Sequence, residues 1–206
     1  MSLFVTFEGG EGSGKSSVLK ILNQRLIDEG YPVVLTREPG GTPIAEQIRN
    51  VILDKANTDM DPWTEALLYA ASRRQHLVEK IIPALNEGKI VLCDRFLDSS
   101  LAYQGGARGL GIDKVLAANM FATEGRFPDL TLFFDLDPET GLDRISANSA
   151  REVNRLDLEK MEFHQKVRAS FKQLVEQYGD RFVVIDASKS KEEVAEEAYR
   201  AIKSRL

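Results

Sequence analysis

The run FVTFEGGEGSGKSS, residues 4–17, decides how the rest of the chain is read. An apolar, strand-like segment stops at Glu8. Gly9, Gly10, Gly12 and Gly14 then crowd together before Lys15, Ser16 and Ser17. The spacing Gly9-x-x-x-x-Gly14-Lys15-Ser16 is that of a P-loop, and it lies between a predicted strand and a predicted helix, where such a loop belongs. Glycines allow positive φ and let backbone N–H groups face inward around an anion. The helix opening near Gly14 adds the partial positive charge of its N-terminus. Lys15 then reaches β- and γ-phosphates, and the Ser16 hydroxyl is a ligand for Mg²⁺. Residues Gly9, Gly10, Glu11, Gly12, Ser13, Gly14, Lys15, Ser16 and Ser17 are therefore the candidate nucleotide seat.

Outward from this loop, short apolar runs alternate with helical periodicity. Strands are predicted at residues 3–8, 32–36, 89–94, 130–136 and 181–186. Several are almost continuously apolar, as parallel strands covered on both faces are. The stripes Val18/Ile21/Leu22/Leu26, Val167/Phe171/Leu174/Tyr178 and Val194/Ala198/Ile202 mark helices between and after them. Residues 66–82 read as a further helix, with an apolar stripe of Leu67, Ala70, Ala71, Leu77, Val78 and Ile81. This order predicts an α/β fold with a mostly parallel sheet. At 206 residues the chain suits a single domain, residues 1–206.

Composition narrows the function. Net charge is −5, so there is no general basic surface for nucleic acid, and anionic ligands must be met by locally placed Arg and Lys. A single cysteine, Cys93 in an apolar run, excludes an intrachain disulfide and reads as a buried small hydrophobe. His76 and His164 are not spaced as metal ligands and sit in helical stretches, so both are expected to be structural. No basic leader or long apolar segment is evident, and the expectation is a cytoplasmic protein without membrane contact.

A second anionic site is expected beyond the carboxyl ends of the strands, where open α/β sheets bind ligands. Asp94 and Arg95 end the third predicted strand: the carboxylate suits Mg²⁺, directly or through water, and the guanidinium suits a phosphate. Arg73 and Arg74 fall in the gap of the helical stripe, and Arg73 is the one expected to face the cleft. Arg37, Glu38 and Arg49 complete a possible acceptor pocket. No guanine-reading Asn-Lys-x-Asp is present, which disfavours a GTPase. A kinase for another nucleoside monophosphate or a free deoxynucleoside, and a P-loop switch module, are the competing readings.

The segments TFEGGEGSGKSS, TREPGGTP, EALLYAASRRQH, CDRFLDSSLAYQGGARGLG and FPDLT, in that order, resemble the bacterial thymidylate kinase family, over residues 4–158. The resemblance implies the P-loop NTPase fold: a five-stranded parallel sheet flanked by helices on both faces, with a short lid, here about residues 144–156. It implies ATP as co-substrate, Mg²⁺, dTMP as acceptor and a homodimer. It also implies roles. Arg95 and Arg37 match positions at the dTMP phosphate, and Glu38 a carboxylate beside acceptor and metal. Arg49 lies near the same phosphate or base. Arg73 matches a thymine-carbonyl contact, Tyr69 stands where Phe often stacks on the base, and Ser100 and Gln104 match base-edge contacts. Tyr103 matches the residue that crowds the sugar 2′ position. The loop carries Glu11 where some members carry a cation, which passes charge neutralisation to a lid arginine, Arg151 or Arg155. Ser16 and Ser17 replace a commoner Thr pair, with the hydroxyl kept at Ser16.

Overall fold

The computed structural model describes residues 2–147 and 155–206. Among the described residues, five parallel strands form one sheet in the order β2-β3-β1-β4-β5. They are β1 (Leu3–Glu8), β2 (Val33–Arg37), β3 (Ile90–Asp94), β4 (Leu130–Asp135) and β5 (Phe182–Asp186). The first coincides with its predicted bounds, and the others differ by a residue at one or both ends. Each strand boundary depends on which terminal N–H finds a neighbour, which composition alone does not specify.

Alternation of side chains across β1 explains why helices cover both faces. Leu3, Val5 and Phe7 point into one core with α1 (Lys15–Asp28) and α9 (Lys191–Lys203). Phe4 points into the other, with Leu77 and Ile81 of the segment that continues α3 (Pro62–His76), and with α8 (Met161–Gln177). There Phe133 stacks on Phe171 with centroids 5.0 Å apart. The remaining helices are α2 (Pro43–Leu53), α4 (Ile82–Asn86), α5 (Leu97–Ser100), α6 (Ile112–Thr123) and α7 (Pro138–Ser146). Among the described residues no helix is long and apolar enough to cross a membrane.

The helix expected over residues 66–82 is present, but it starts at Pro62 and changes its winding on the way. The α-helical turns of α3 end at His76, and a π-helical segment, Leu77–Ile81, leads into α4. Its apolar stripe is also partly reversed: Leu67 and Ala71 face solvent, whereas Glu65, Tyr69, Ser72, Arg73 and His76 are buried. The inward face carries polar groups whose partners come from other elements, Glu38 for Arg73 and His76 and Gln104 for Glu65, so hydrophobic periodicity misassigns it. A second π-helical segment, Leu101–Ala107, follows α5 and turns Tyr103 and Gln104 inward.

Candidate active site

The glycine loop leaves β1, at the sheet's centre, and is pinned by close backbone approach. A Cβ on Gly12 would lie 2.0 Å from Gly141 O of α7, and one on Gly141 would lie 2.3 Å from Glu11 O. Gly12 has φ +70 and Gly14, which opens α1, has φ +83, so the loop's path needs glycine for both conformation and space. Lys15 curls over this loop: its Nζ donates to Gly9 O (3.0 Å), Gly10 O (2.7 Å) and Ser13 Oγ (3.0 Å). Burial and the neighbouring Arg95 push its pKa down to about 8.

The next strand end meets this loop. Ser16 Oγ donates to Asp94 Oδ2 at 2.5 Å, which brings together two hard oxygen donors from α1 and β3. Arg95 follows with φ 69, an uncommon conformation for a side-chain-bearing residue. Hydrogen bonds on both sides hold it there: Arg95 N donates to Phe7 O at 3.0 Å, and Phe96 N donates to Glu8 Oε1 at 2.7 Å. Ser99 donates to the other oxygen of Glu8 at 2.5 Å. Burial, with Asp98 nearby, pushes the Glu8 carboxyl well above the usual range. Arg95 itself donates to Glu11 Oε1, Gly9 O and Ser99 Oγ. Its burial opposes the charge, but Tyr103, Glu11, Asp94 and Glu8 outweigh that and keep it cationic.

The remaining expected residues converge from the end of β2 and the loop after it, from α2, α3 and α5, and from the second π segment. Arg73 is 2% exposed, donating Nε to Glu38 (2.8 Å), Nη1 to Ser100 Oγ (3.1 Å) and Asn119, and Nη2 to Phe96 O (3.0 Å). Glu38 also accepts from His76 Nδ1 at 3.0 Å, so His76 is structural. Arg74 is turned outward to Glu124. Arg37 forms a forked pair with Glu46 at 2.6 and 3.1 Å, and Arg49 donates to Pro39 O at 2.9 Å. Tyr103 donates to Glu11 Oε1 at 3.1 Å and packs edge-on against Phe163 and Phe171.

One cavity of about 520 Å³ joins these groups. Glu11 to Ser17 line it, together with Arg37, Glu38, Arg49, Tyr69, Arg73, Asp94, Arg95, Ser100, Tyr103 and Gln104. That volume suits small ligands in a largely formed site. Gly9 and Gly10 contribute the carbonyls that receive Lys15.

Two lid expectations fare differently. Arg151 lies outside the described residues. Arg155 does not itself line the cavity, although the next residue, Leu156, does. The Arg155 guanidinium donates to Ile52 O at 3.0 Å and to Glu65, whose buried carboxylate claims the charge. Sequence reasoning also missed Arg144 of α7, which lines the cavity and donates to Ala187 O at 3.0 Å. Its place in the last turn of a helix against the loop was the available signal. Glu8, Glu65 and Asn119 gave none, because their partners are remote in sequence.

A phosphate-seating loop and convergent guanidiniums in one cavity define a P-loop kinase, a phosphotransferase with an anionic acceptor. The family model described as thymidylate kinase matches residues 7–198. The chain belongs to the thymidylate kinase family. It is 60% identical over 203 residues to a thymidylate kinase of Halalkalibacterium halodurans, covering 98% of this chain and 97% of that one. It is 59% identical over 204 residues to a thymidylate kinase of Bacillus velezensis, covering 99% and 96%. The crystal structure of thymidylate kinase from Ehrlichia chaffeensis superposes with a TM-score of 0.79 at 33% identity, covering 98% of each chain.

Proposed function

We propose that this chain phosphorylates dTMP to dTDP by in-line transfer of the γ-phosphoryl of ATP, within a single domain spanning residues 1–206. The observation that carries the proposal is the continuity of one cavity from Lys15 to Gln104, across both the donor and the acceptor ends. The relatives named above, some 60% identical over nearly the whole chain, support the same reaction.

The residue roles are those the family resemblance implies, and the chemistry of each side chain suits them. Loop N–H groups, the α1 terminus and Lys15 seat the ATP phosphates. Arg95 faces the acceptor phosphate, with Arg37 and Arg49 nearby. The acceptor oxygen is already anionic, so positioning and charge neutralisation suffice, without a strong base or covalent intermediate. Arg73 has five N–H donors and uses four on protein groups, which leaves one Nη2 hydrogen for a single carbonyl of the base. Tyr69 supplies an aromatic face, Ser100 and Gln104 read the base edge, and Tyr103 crowds the sugar. Arg151 or Arg155 is the lid arginine assigned to the transferred phosphoryl.

Mg²⁺ is ordinarily held by one or two protein oxygens with phosphates and water, and Ser16 Oγ with Asp94 fits that donor set. When bound, the ion neutralises charge on the phosphate oxygens.

A homodimer accords with the apolar side chains left outside α2, α3 and α6: Val51, Leu67 (57% exposed) and Phe121 (90% exposed). The cytoplasm, where ATP and nucleotides are available, is the proposed compartment.

The stereochemical course tests the transfer. ATP made chiral at its γ-phosphorus should give dTDP with inverted configuration. Retention would require a phosphoenzyme and would overturn the in-line reading.

A further inference from the structure

Glu65 is a carboxylate that the reaction scheme leaves unused. It sits on the inward face of α3 and is 1% exposed. Its Oε1 accepts from Gln104 Nε2 at 2.8 Å and from Arg108 Nε at 3.3 Å. Its Oε2 accepts from Arg108 Nη2 at 3.3 Å and from Arg155 Nη2. Burial alone would raise its pKa, but Arg108, Gln104 and Arg155 together hold it below the usual range. It is therefore a fixed anion, and an ionised carboxylate only accepts hydrogen bonds.

The consequence lies in Gln104. A side-chain amide can present either its oxygen or its nitrogen to a ligand, and the two ends differ only in hydrogen-bond sense. Glu65 removes that freedom, because only the NH₂ end can face a carboxylate. Gln104 lines the cavity, and among the described residues its Oε1 accepts no hydrogen bond. The end left to the ligand is an acceptor. Thymine and uracil carry an N–H at ring position N3, whereas cytosine has a lone pair there.

We propose that Glu65 is a positioning residue that locks the Gln104 amide with its oxygen toward the base, and so selects N3–H pyrimidines over cytosine. This rests on the reading of Gln104 as a base-edge contact. In Glu65→Gln the single remaining oxygen is claimed by the arginine cations, and the new NH₂ faces Gln104. The Gln104 amide then turns over and offers a donor to the cavity. That donor suits the N3 of cytosine and opposes the N3–H of thymine.

The test is kcat/KM for dTMP, dUMP and dCMP, with KM for ATP, in four proteins: wild type, Gln104→Ala, Glu65→Gln and the double variant. Gln104→Ala should lower the dTMP-to-dCMP ratio by at least about tenfold, the scale of one specific hydrogen bond. If that ratio holds, the base-edge reading itself fails, and this proposal with it. If Gln104→Ala lowers the ratio and Glu65→Gln does not, only the proposal is overturned. The expected result is that Glu65→Gln lowers the ratio by at least about tenfold, and leaves the dUMP-to-dTMP ratio and KM for ATP within about twofold. A merely structural lesion would not single out the base that lacks N3–H. The double variant should lose no more than Gln104→Ala, and an additive loss would show that Glu65 acts elsewhere. Should Glu65→Gln not fold, Glu65→Asp carries the same test. It retains the charge for Arg108 and Arg155 but withdraws the carboxylate from Gln104.

Discussion

Arg95 and Glu11 form an ion pair across the mouth of the glycine loop, Nη2 to Oε1 at 2.7 Å. Residue 11 therefore does more than omit a cation. It places an anion against the guanidinium proposed to grip the acceptor phosphate. Arg95→Ala should leave that anion facing the phosphate and lower kcat/KM for dTMP by on the order of 10²-fold, with KM for ATP little changed. Adding Glu11→Ala should recover roughly tenfold of the loss, because it removes a like charge. Steady-state kinetics of the two variants measure this; equal losses toward ATP and dTMP would argue against the assignment.

Lys15 supplies the pH dependence. Its pKa is lowered from 10.5 to about 8 in the folded chain, so the ammonium needed for the triphosphate is present below that value and lost above it. A profile of kcat/KM for ATP, which reports the free enzyme, should be level below about pH 8 and fall above it. The unfolded chain binds the extra proton between about 8 and 10.5, so this group makes stability rise with pH across that window. Loss of activity there should therefore occur without loss of Tm attributable to Lys15.

Tyr103 separates shape from hydrogen bonding. Tyr103→Phe keeps the ring between Phe163 and Phe171 but loses the bond to Glu11. Discrimination of dTMP against the ribonucleotide should survive that change. It should weaken by roughly tenfold in Tyr103→Ala, which opens the space the sugar hydroxyl would enter. Competition between the two nucleotides reads the ratio directly.

Gly141→Ala pits helix propensity against space. Alanine favours a helix interior over glycine by about 1 kcal/mol. The added methyl would nevertheless sit 2.3 Å from the carbonyl of Glu11, a backbone atom that moves only with the glycine loop. Contact should win, so KM for ATP should rise and Tm should fall. Thermal unfolding with and without ATP measures both effects.

How much of this was legible in the chain depends on sequence distance. The glycine loop, the five strands and the inward turn of Arg73 rather than Arg74 were readable because each is encoded within one local run. Glu65 was not, because the side chains that let it be buried lie 39, 43 and 90 residues away. The same carboxylate holds Arg155, and nothing in the polar segment around that arginine announces a buried partner. Leu67 erred in the opposite sense, as a large apolar residue on an outer face that periodicity assigns inward. The first π-helical segment carries no breaker residue that would announce it, and in the second, which turns Tyr103 and Gln104 into the cavity, the pair Gly105-Gly106 follows those side chains rather than marking a wider turn before them.

The central claim is that an acceptor carrying both a phosphate and a thymine edge is required. Its most direct test is product formation from ATP with dTMP, dCMP, dAMP, dGMP and free thymidine as separate acceptors, resolved by chromatography. The account predicts rapid conversion of dTMP to dTDP and negligible phosphorylation of thymidine, which lacks the phosphate that Arg95 is placed to hold. Thymidine consumed as fast as dTMP, or a purine monophosphate preferred over it, would contradict the account.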